Sequence, residues 1–378
     1  MEDSADDYQI CNRCVMDSSA SEITFDQNGN CNFCSSYFLK AQDRIFEGTV
    51  GEDMLNAVVS SIKKDGSKKK YDCIIGVSGG VDSTYVAYKV KQLGLRPLAV
   101  HFDNSWNSEL AVSNIEQALD KLDIDLYTYV INWPEFRSLQ KSFLLASTPD
   151  GEVPTDHAIA AILYKTAAKF NVKYIINGNN FKNEGILPES WAYGHIDWKY
   201  IRSVNKIFKG EKLRTFPHFG FLQFAYWTFI KRIKIINILN YLDFDKSKAI
   251  DLLKSELDWR PYGGKHHESV YTKFYQAYLL PLKFNIDKRR AHLSNQVVNN
   301  EVAREEALEE LKKPILKDSE IVELNDFVKK KFKFSDVDFD RILNTAPKTF
   351  RDYPNSHFLV MKSRRVLNWM RTKGLFYK

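Results

Sequence analysis

A chain of 378 residues, 44% hydrophobic and 13% aromatic, has room for two or three domains and is not a disordered polypeptide. Its opening residues, MEDSADDYQI, are acidic where an export signal is basic and then apolar, and its longest apolar uncharged stretch, 215–230, falls short of the ~20 residues of a membrane span. The expectation is a soluble cytoplasmic protein with no membrane span. The net charge of +6 is uneven, with nine Lys or Arg against one acid in 199–234 and sixteen against eight in 312–378, which suits either an anionic partner or a solvated charged face.

In chain order, residues 1–40 hold four of the five cysteines and too few apolar residues for a core of their own. The pairs Cys11-x2-Cys14 and Cys31-x2-Cys34 read as a closed four-thiolate zinc knuckle with a structural role; an iron–sulfur cluster, or reduced cysteines without metal, are the other readings. A helix is expected over 53–63, then a polar boundary, KKDGSKKK, at 63–70. From Tyr71 strands and helices alternate: strands at 71–77, 97–102, 125–131 and 172–177, and helices at 83–93, 108–122 and 155–170. Strands that are apolar throughout predict an α/β fold with a doubly wound parallel sheet. Beyond 185 the alternation is expected to stop, giving a helical region with a helix near 246–257, a structured loop at 259–269, a capping box at Ser335 and Asp338, and Asn355 as cap of a final helix. The resulting division is 1–50, 51–185 and 186–378.

The strongest chemical signal is SGGVDS, Ser78 to Ser83, between the first strand and first helix. Gly79 and Gly80 let backbone N–H groups approach phosphate oxygens, Ser78 and Ser83 add hydroxyls, and the helix start supplies partial positive charge. No Walker lysine is present, and Asp82 inside the loop suits a Mg²⁺ bridging phosphates. The hexapeptide resembles the pyrophosphate loop (PP-loop) of the adenine-nucleotide alpha-hydrolase superfamily, within the HUP-like folds. That resemblance implies ATP cleavage between the α- and β-phosphates and an adenylated intermediate.

A narrower resemblance covers CNRCVMDSSASEITFDQNGNCNFC (11–34), YDCIIGVSGGVDS (71–83) and WRPYGGKHHESVYTKFYQAYLLPLKFNIDKRRAHLS (259–294). Together these are similar to bacterial N-acetyl sugar amidotransferases of surface-polysaccharide (LPS O-antigen) pathways. The resemblance implies conversion of an acetamido group on a nucleotide-linked sugar to acetamidino, with ATP, Mg²⁺ and Zn²⁺, and ammonia from a separate glutaminase. Where many relatives read Gly-Glu-Asn after the fourth strand, this chain reads Gly178-Asn179-Asn180; the later acid of that pattern matches Glu184.

Other candidates are weaker. Asp103 ends the second strand, near a ribose or adenine position or as a cap of the next loop. Asn177, Gly178, Asn180 and Glu184 follow the fourth strand at the same sheet edge. His157 matches a family histidine, whereas Asp156 reads as a helix cap. Lys265, Lys288 and Arg289 suit pyrophosphate or sugar carboxylate, His266 or His267 a general base, with Glu268 beside them; a solvated basic face is the alternative. The aromatic run 216–234 reads more readily as buried packing than as a membrane-surface helix.

The competing functions are a tRNA-modifying thiolase and a zinc-ribbon nucleic-acid binder. The only spare thiol, Cys73, falls inside a predicted strand, and a nucleic-acid binder leaves the phosphate loop unexplained. No nucleic acid is therefore expected as partner. Glu2 occupies the second position and no Cys sits in a Gly-rich elbow, so glutamine hydrolysis is not expected of this chain. The sugar and the oligomeric state are not legible.

Overall fold

The computed structural model describes residues 8–261 and 269–372. Two cysteine turns lead into α1 (Asn32–Ala41), whose N-terminus is capped by the Cys31 sulfur accepting from the Cys34 N–H at 3.5 Å. α2 (Gly48–Gly66) buries Leu55, Val59 and Ile62, a stripe at i, i+4 and i+7.

The alternating part follows: β1 (Cys73–Gly76), α3 (Val81–Gln92), β2 (Pro97–Asp103), α4 (Glu109–Leu122), β3 (Asp125–Val130), α5 (Trp133–Ala146), α6 (Val153–Lys169) and β4 (Tyr174–Asn177). Ser108 caps α4 through Ala111 N–H at 3.2 Å, and Asn132 caps α5, which was not anticipated, through Glu135 N–H at 3.2 Å. After β4 come α7 (Phe181–Glu184), α8 (Trp198–Ile207), α9 (Phe221–Ala225) continued by a π turn to Ile230, β5 (Lys234–Asn237) and α10 (Lys246–Leu257). The rest is helical: α11 (Val270–Phe274), α12 (Leu280–Phe284), α13 (Arg289–Val298), α14 (Arg304–Lys312), α15 (Asp318–Phe332), α16 (Asp336–Asn344) and α17 (His357–Thr372). Ser335 and Asp338 form the expected capping box, and Asn355 accepts from His357 N–H at 3.0 Å as α17 begins.

The sheet is parallel throughout, in the order β3-β2-β1-β4-β5. Alternate residues of one strand reach opposite faces. Ile74 enters the core shared with Phe136, Phe143 and Ile162, while Cys73 and Ile75 join Leu55, Val86 and Leu253. Two sequence expectations need correction. The alternation does not stop at 185: KIIN at 234–237 adds β5 beside β4, with Ile176 opposite Ile236. Nor is every strand buried, because β3 is an edge strand with Leu126 and Val130 exposed.

Candidate active site

The order β3-β2-β1-β4-β5 sends the chain outward from β1 in one direction and back across it to β4, so a crevice opens past the carboxyl ends of β1 and β4. The Ser78–Ser83 loop lies there. Gly79 has φ +80°, and a side chain on it would meet the Ala111 carbonyl oxygen at 2.4 Å, so the turn and its approach to α4 both require glycine. Inside the loop, Ser83 Oγ accepts from Ser78 N–H and donates to Gly80 O, each at 3.2 Å, and Ser78 Oγ accepts from Gly80 N–H at 3.3 Å. Gly80 precedes α3 and offers it no side-chain cap, so the first N–H groups of the helix face the crevice end. Gly178 completes this junction: a Cβ there would lie 3.1–3.2 Å from Asp82 and Ser83.

Other expected residues hold the site's frame. Asp103 Oδ1 accepts from Ser105 N–H at 2.8 Å, so it caps its own turn at the carboxyl end of β2. Asn180 is buried and accepts from Lys182 N–H at 2.9 Å, capping α7, and Asn177 accepts from Asn179 N–H at 3.3 Å. Glu184 ends α7 and is exposed. The segment carrying them is clamped from two sides. Tyr37 stacks on Phe181 and donates to Asn299 at 2.7 Å, and Asn295 exchanges hydrogen bonds with the Ile186 backbone.

Lys265, His266, His267 and Glu268 lie outside the described residues. The chain on either side of them is fixed near the loop. Trp259 Nε1–H donates to Gly79 O at 2.9 Å, and Arg260 exchanges two backbone hydrogen bonds with the Asn114 amide, at 2.8 and 3.0 Å. On the far side Ser269 bridges to Asn107 and Val270 N–H donates to Trp106 O at 3.0 Å. His101, which sequence reasoning passed over, sits beneath: its Nδ1–H donates to Val77 O at 3.0 Å and its Nε2 accepts from Asn107 at 3.2 Å.

Two expected roles are overturned by geometry. His157 is fully buried between Trp198 and Phe219, its Nδ1–H donating to His195 O at 2.7 Å and its Nε2 accepting from Phe219 N–H at 3.3 Å. Both nitrogens are committed, and burial pushes its pKa down to about 3, so it is a neutral core histidine whose one N–H is held by a backbone carbonyl. Arg289 pairs with Asp287 at 2.8 Å and donates to the carbonyls of Glu310, Leu311 and Lys313, capping the end of α14. Its donors serve the fold.

Lys288 has different surroundings, and they include acids of which sequence reasoning raises only Asp156, as a helix cap; the cap position is held by Glu152, and Asp156 lies in the first turn. Asp150, Glu152 and Asp156 gather at the start of α6, with Lys288 near enough to draw the pKa values of Asp150 and Asp156 down. Burial nevertheless pushes Asp150 up to about 6, and surrounding protein and the two neighbouring acids push up Asp156, although part of Asp156 stays exposed. Glu152 accepts from Thr272 Oγ1 and Gln276 Nε2, both carried by the helical run that begins with α11. The only signal for this group was Asp-Gly-Glu ahead of Pro154, which reads equally as a turn and cap.

The four cysteines converge. Cys11, Cys14, Cys31 and Cys34 are buried, with sulfur separations of 3.8, 3.7 and 3.6 Å along Cys11–Cys34, Cys14–Cys31 and Cys31–Cys34. A tetrahedron with metal–sulfur bonds of ~2.3 Å has edges of about 3.8 Å, so the donor set fits zinc. N–H groups of Arg13, Cys14 and Cys31 point at the Cys11 sulfur and favour its thiolate. The module is docked on the C-terminal helices: Arg304 donates to the carbonyls of Cys11 and Cys14, and Arg290 pairs with Asp17 at 2.9 Å and donates to Val15 O.

Comparison with known proteins adds the following. Residues 268–366 match the family model described as LPS biosynthesis protein WbpG-like, C-terminal domain. A tRNA-specific 2-thiouridylase, MnmA 2, from Fusobacterium nucleatum is 25% identical over 146 residues; the match takes in 36% of this chain and 40% of that protein's length. Among solved structures, an NMN synthetase from Francisella tularensis is similar at TM-score 0.30 and 14% identity, over 60% of this chain and 93% of that one. An ammonia-dependent NAD synthetase from Campylobacter jejuni is similar at TM-score 0.28 and 15% identity, over 57% and 99%. At those scores the likenesses add nothing to the fold already described. The resemblance to the C-terminal domain of WbpG-like LPS biosynthesis proteins therefore covers residues 268–366, about a quarter of the chain.

Proposed function

We propose that this chain is an ATP-dependent, AMP- and pyrophosphate-forming amidotransferase that converts an acetamido group of a nucleotide-linked sugar to acetamidino. The observation carrying this reading is the Ser78–Ser83 loop at the crevice between β1 and β4, tied by the Trp259–Gly79 hydrogen bond to the segment leading into the WbpG-like domain. An acetamide carbonyl is a poor electrophile. Its oxygen attacks the α-phosphorus of ATP and pyrophosphate departs. Ammonia then adds to the imidate carbon, AMP leaves with the former carbonyl oxygen, and loss of a proton gives the amidine. Mg²⁺, held by Asp82, would neutralise charge on the departing pyrophosphate.

Ser78, Ser83 and the first N–H groups of α3 bind the phosphates, with Gly178 leaving room for them. Lys288 faces the sugar nucleotide, beside acids whose raised pKa values suit proton acceptance from the attacking nitrogen. Lys265, His266, His267 and Glu268 complete the acceptor side in this proposal. Ammonia comes from a separate glutaminase. Mass spectrometry of UDP-acetamido sugars incubated with ATP, Mg²⁺ and ammonium tests the reading: exchange of O for NH with matching AMP release supports it, and absence of both refutes it.

A second reading, tRNA thiolation, is favoured by the thiouridylase match alone. Cys73 argues against it, because that thiol is buried in β1 and burial pushes its pKa up, which disfavours the reactive thiolate.

A further inference from the structure

The uncharged stretch 215–230 does not bury all of its apolar residues. From α9 through the π turn to Ile230 the helix turns Trp227 inward, stacked on Tyr164 at 5.3 Å, with Phe224 packing edge-on to the same ring at 5.5 Å. The other side faces solvent: Phe221 is 61% exposed, Leu222 84%, Tyr226 46% and Ile230 70%. Residues 222, 226 and 230 follow one another at i, i+4 and i+8, so they share one helical face. Buried packing, the sequence expectation for this run, holds for only half of it. No charged residue falls within 221–230, yet Lys231, Arg232 and Lys234 follow at once, and Ile235 is exposed on β5, an edge of the sheet.

We infer that this face rests on an anionic bilayer, with Phe221, Leu222, Tyr226 and Ile230 in the interfacial zone and Lys231 and Arg232 at the lipid phosphates. Charge selects this occupant. The run 199–234 carries nine cations and one acid, and Lys231 and Arg232 directly follow the apolar face, a balance that favours anionic headgroups over a protein surface of mixed sign. The apolar face is continuous, has a tyrosine on it and ends in cations, which is how an interfacial helix is built. The helix leads into the amino end of β5, while the phosphate loop lies past the carboxyl end of β1, so lipid contact at Ile230 leaves the crevice open.

Co-sedimentation of the full chain with phosphatidylcholine–phosphatidylglycerol vesicles, and with phosphatidylcholine alone, tests this inference. The chain should sediment with the anionic vesicles and not the neutral ones, and raising salt toward ~1 M, where the Debye length falls to about 3 Å, should release it. Leu222→Glu or Ile230→Glu should each lower binding about tenfold or more. Both side chains are exposed, so the circular dichroism spectrum and melting temperature should stay at wild-type values. Failure of the wild type to bind overturns the inference, as does equal binding by both variants. A wild-type dimer that Leu222→Glu converts to monomer, without vesicle binding, assigns the face to a second copy instead and also overturns it.

Discussion

The indole N–H of Trp259 donates to the carbonyl oxygen of Gly79 at 2.9 Å, and this bond fixes the segment before the WbpG-like domain against the phosphate loop. Gly79 holds a left-handed turn packed against the backbone of Ala111. Trp259→Phe keeps the buried ring and removes the donor, an interaction worth about 1 kcal/mol, with the orphaned carbonyl adding to the loss. ATP-dependent turnover should fall roughly fivefold to tenfold with little change in melting temperature. Unchanged kinetics would show that the loop is shaped without it.

Asp82 enters the first turn of α3 at the loop, where its carboxylate suits a metal on the phosphates. Asp82→Asn should abolish Mg²⁺-dependent turnover and leave the fold intact. The products of wild-type ATP cleavage should be AMP and pyrophosphate, read by nucleotide chromatography; ADP with phosphate in equal amounts would contradict the assigned cleavage site.

Purified protein should hold about one zinc per chain, by elemental analysis, because four buried thiolates at this spacing leave no open coordination position. Cys31→Ser should lower folded yield more than any chemical step. Arg304→Ala, which removes the clamp on the Cys11 and Cys14 carbonyls, should speed zinc loss to a chelator while leaving all four ligands in place.

Two buried groups should give stability opposite pH slopes. Asp150 titrates near 6 when folded, above an ordinary carboxylate near ~4, so its contribution is full at low pH and is lost as pH rises through about 6. His157 titrates near 3 when folded against ~6.5 unfolded, so its contribution is full above ~6.5 and is lost as pH falls toward 3. In melting curves across this range, Asp150→Asn should remove the decline between pH ~4 and about 6. His157→Gln should cost stability at neutral pH yet leave kcat near wild type; a kcat loss of a hundredfold or more would restore a chemical role to His157.

The parts legible in the sequence are those whose pattern is local. The Gly-Gly turn, the paired Cys-x2-Cys turns and the first four strands each announce themselves within a few residues. β5 did not, because four residues of KIIN inside a basic, aromatic run carry neither length nor alternation. His157 and Arg289 misled for a different reason. Their residue types suit chemistry, but the partners that occupy them, His195, Phe219 and the carbonyls of 310–313, are fixed only by tertiary packing. The raised pKa values of Asp150 and Asp156 come from burial and from neighbouring acids, against the pull of Lys288 from far away in the chain, so no window of sequence shows them.

The clamp of Arg304 on Cys11 spans 293 residues, and Ser294 accepts from Val15 N–H across 279. During synthesis the cysteine turns are exposed to solvent long before α13 and α14 leave the ribosome, since the intervening chain takes tens of seconds to make at about 5–20 residues per second. Metal taken up in that interval sits in a module whose outer carbonyls still lack their arginine donors. Final closure therefore depends on contacts of very high sequence separation, which form late and slowly. A nascent chain stalled before residue 289 should yield its zinc to competing thiols far more readily than the released protein does.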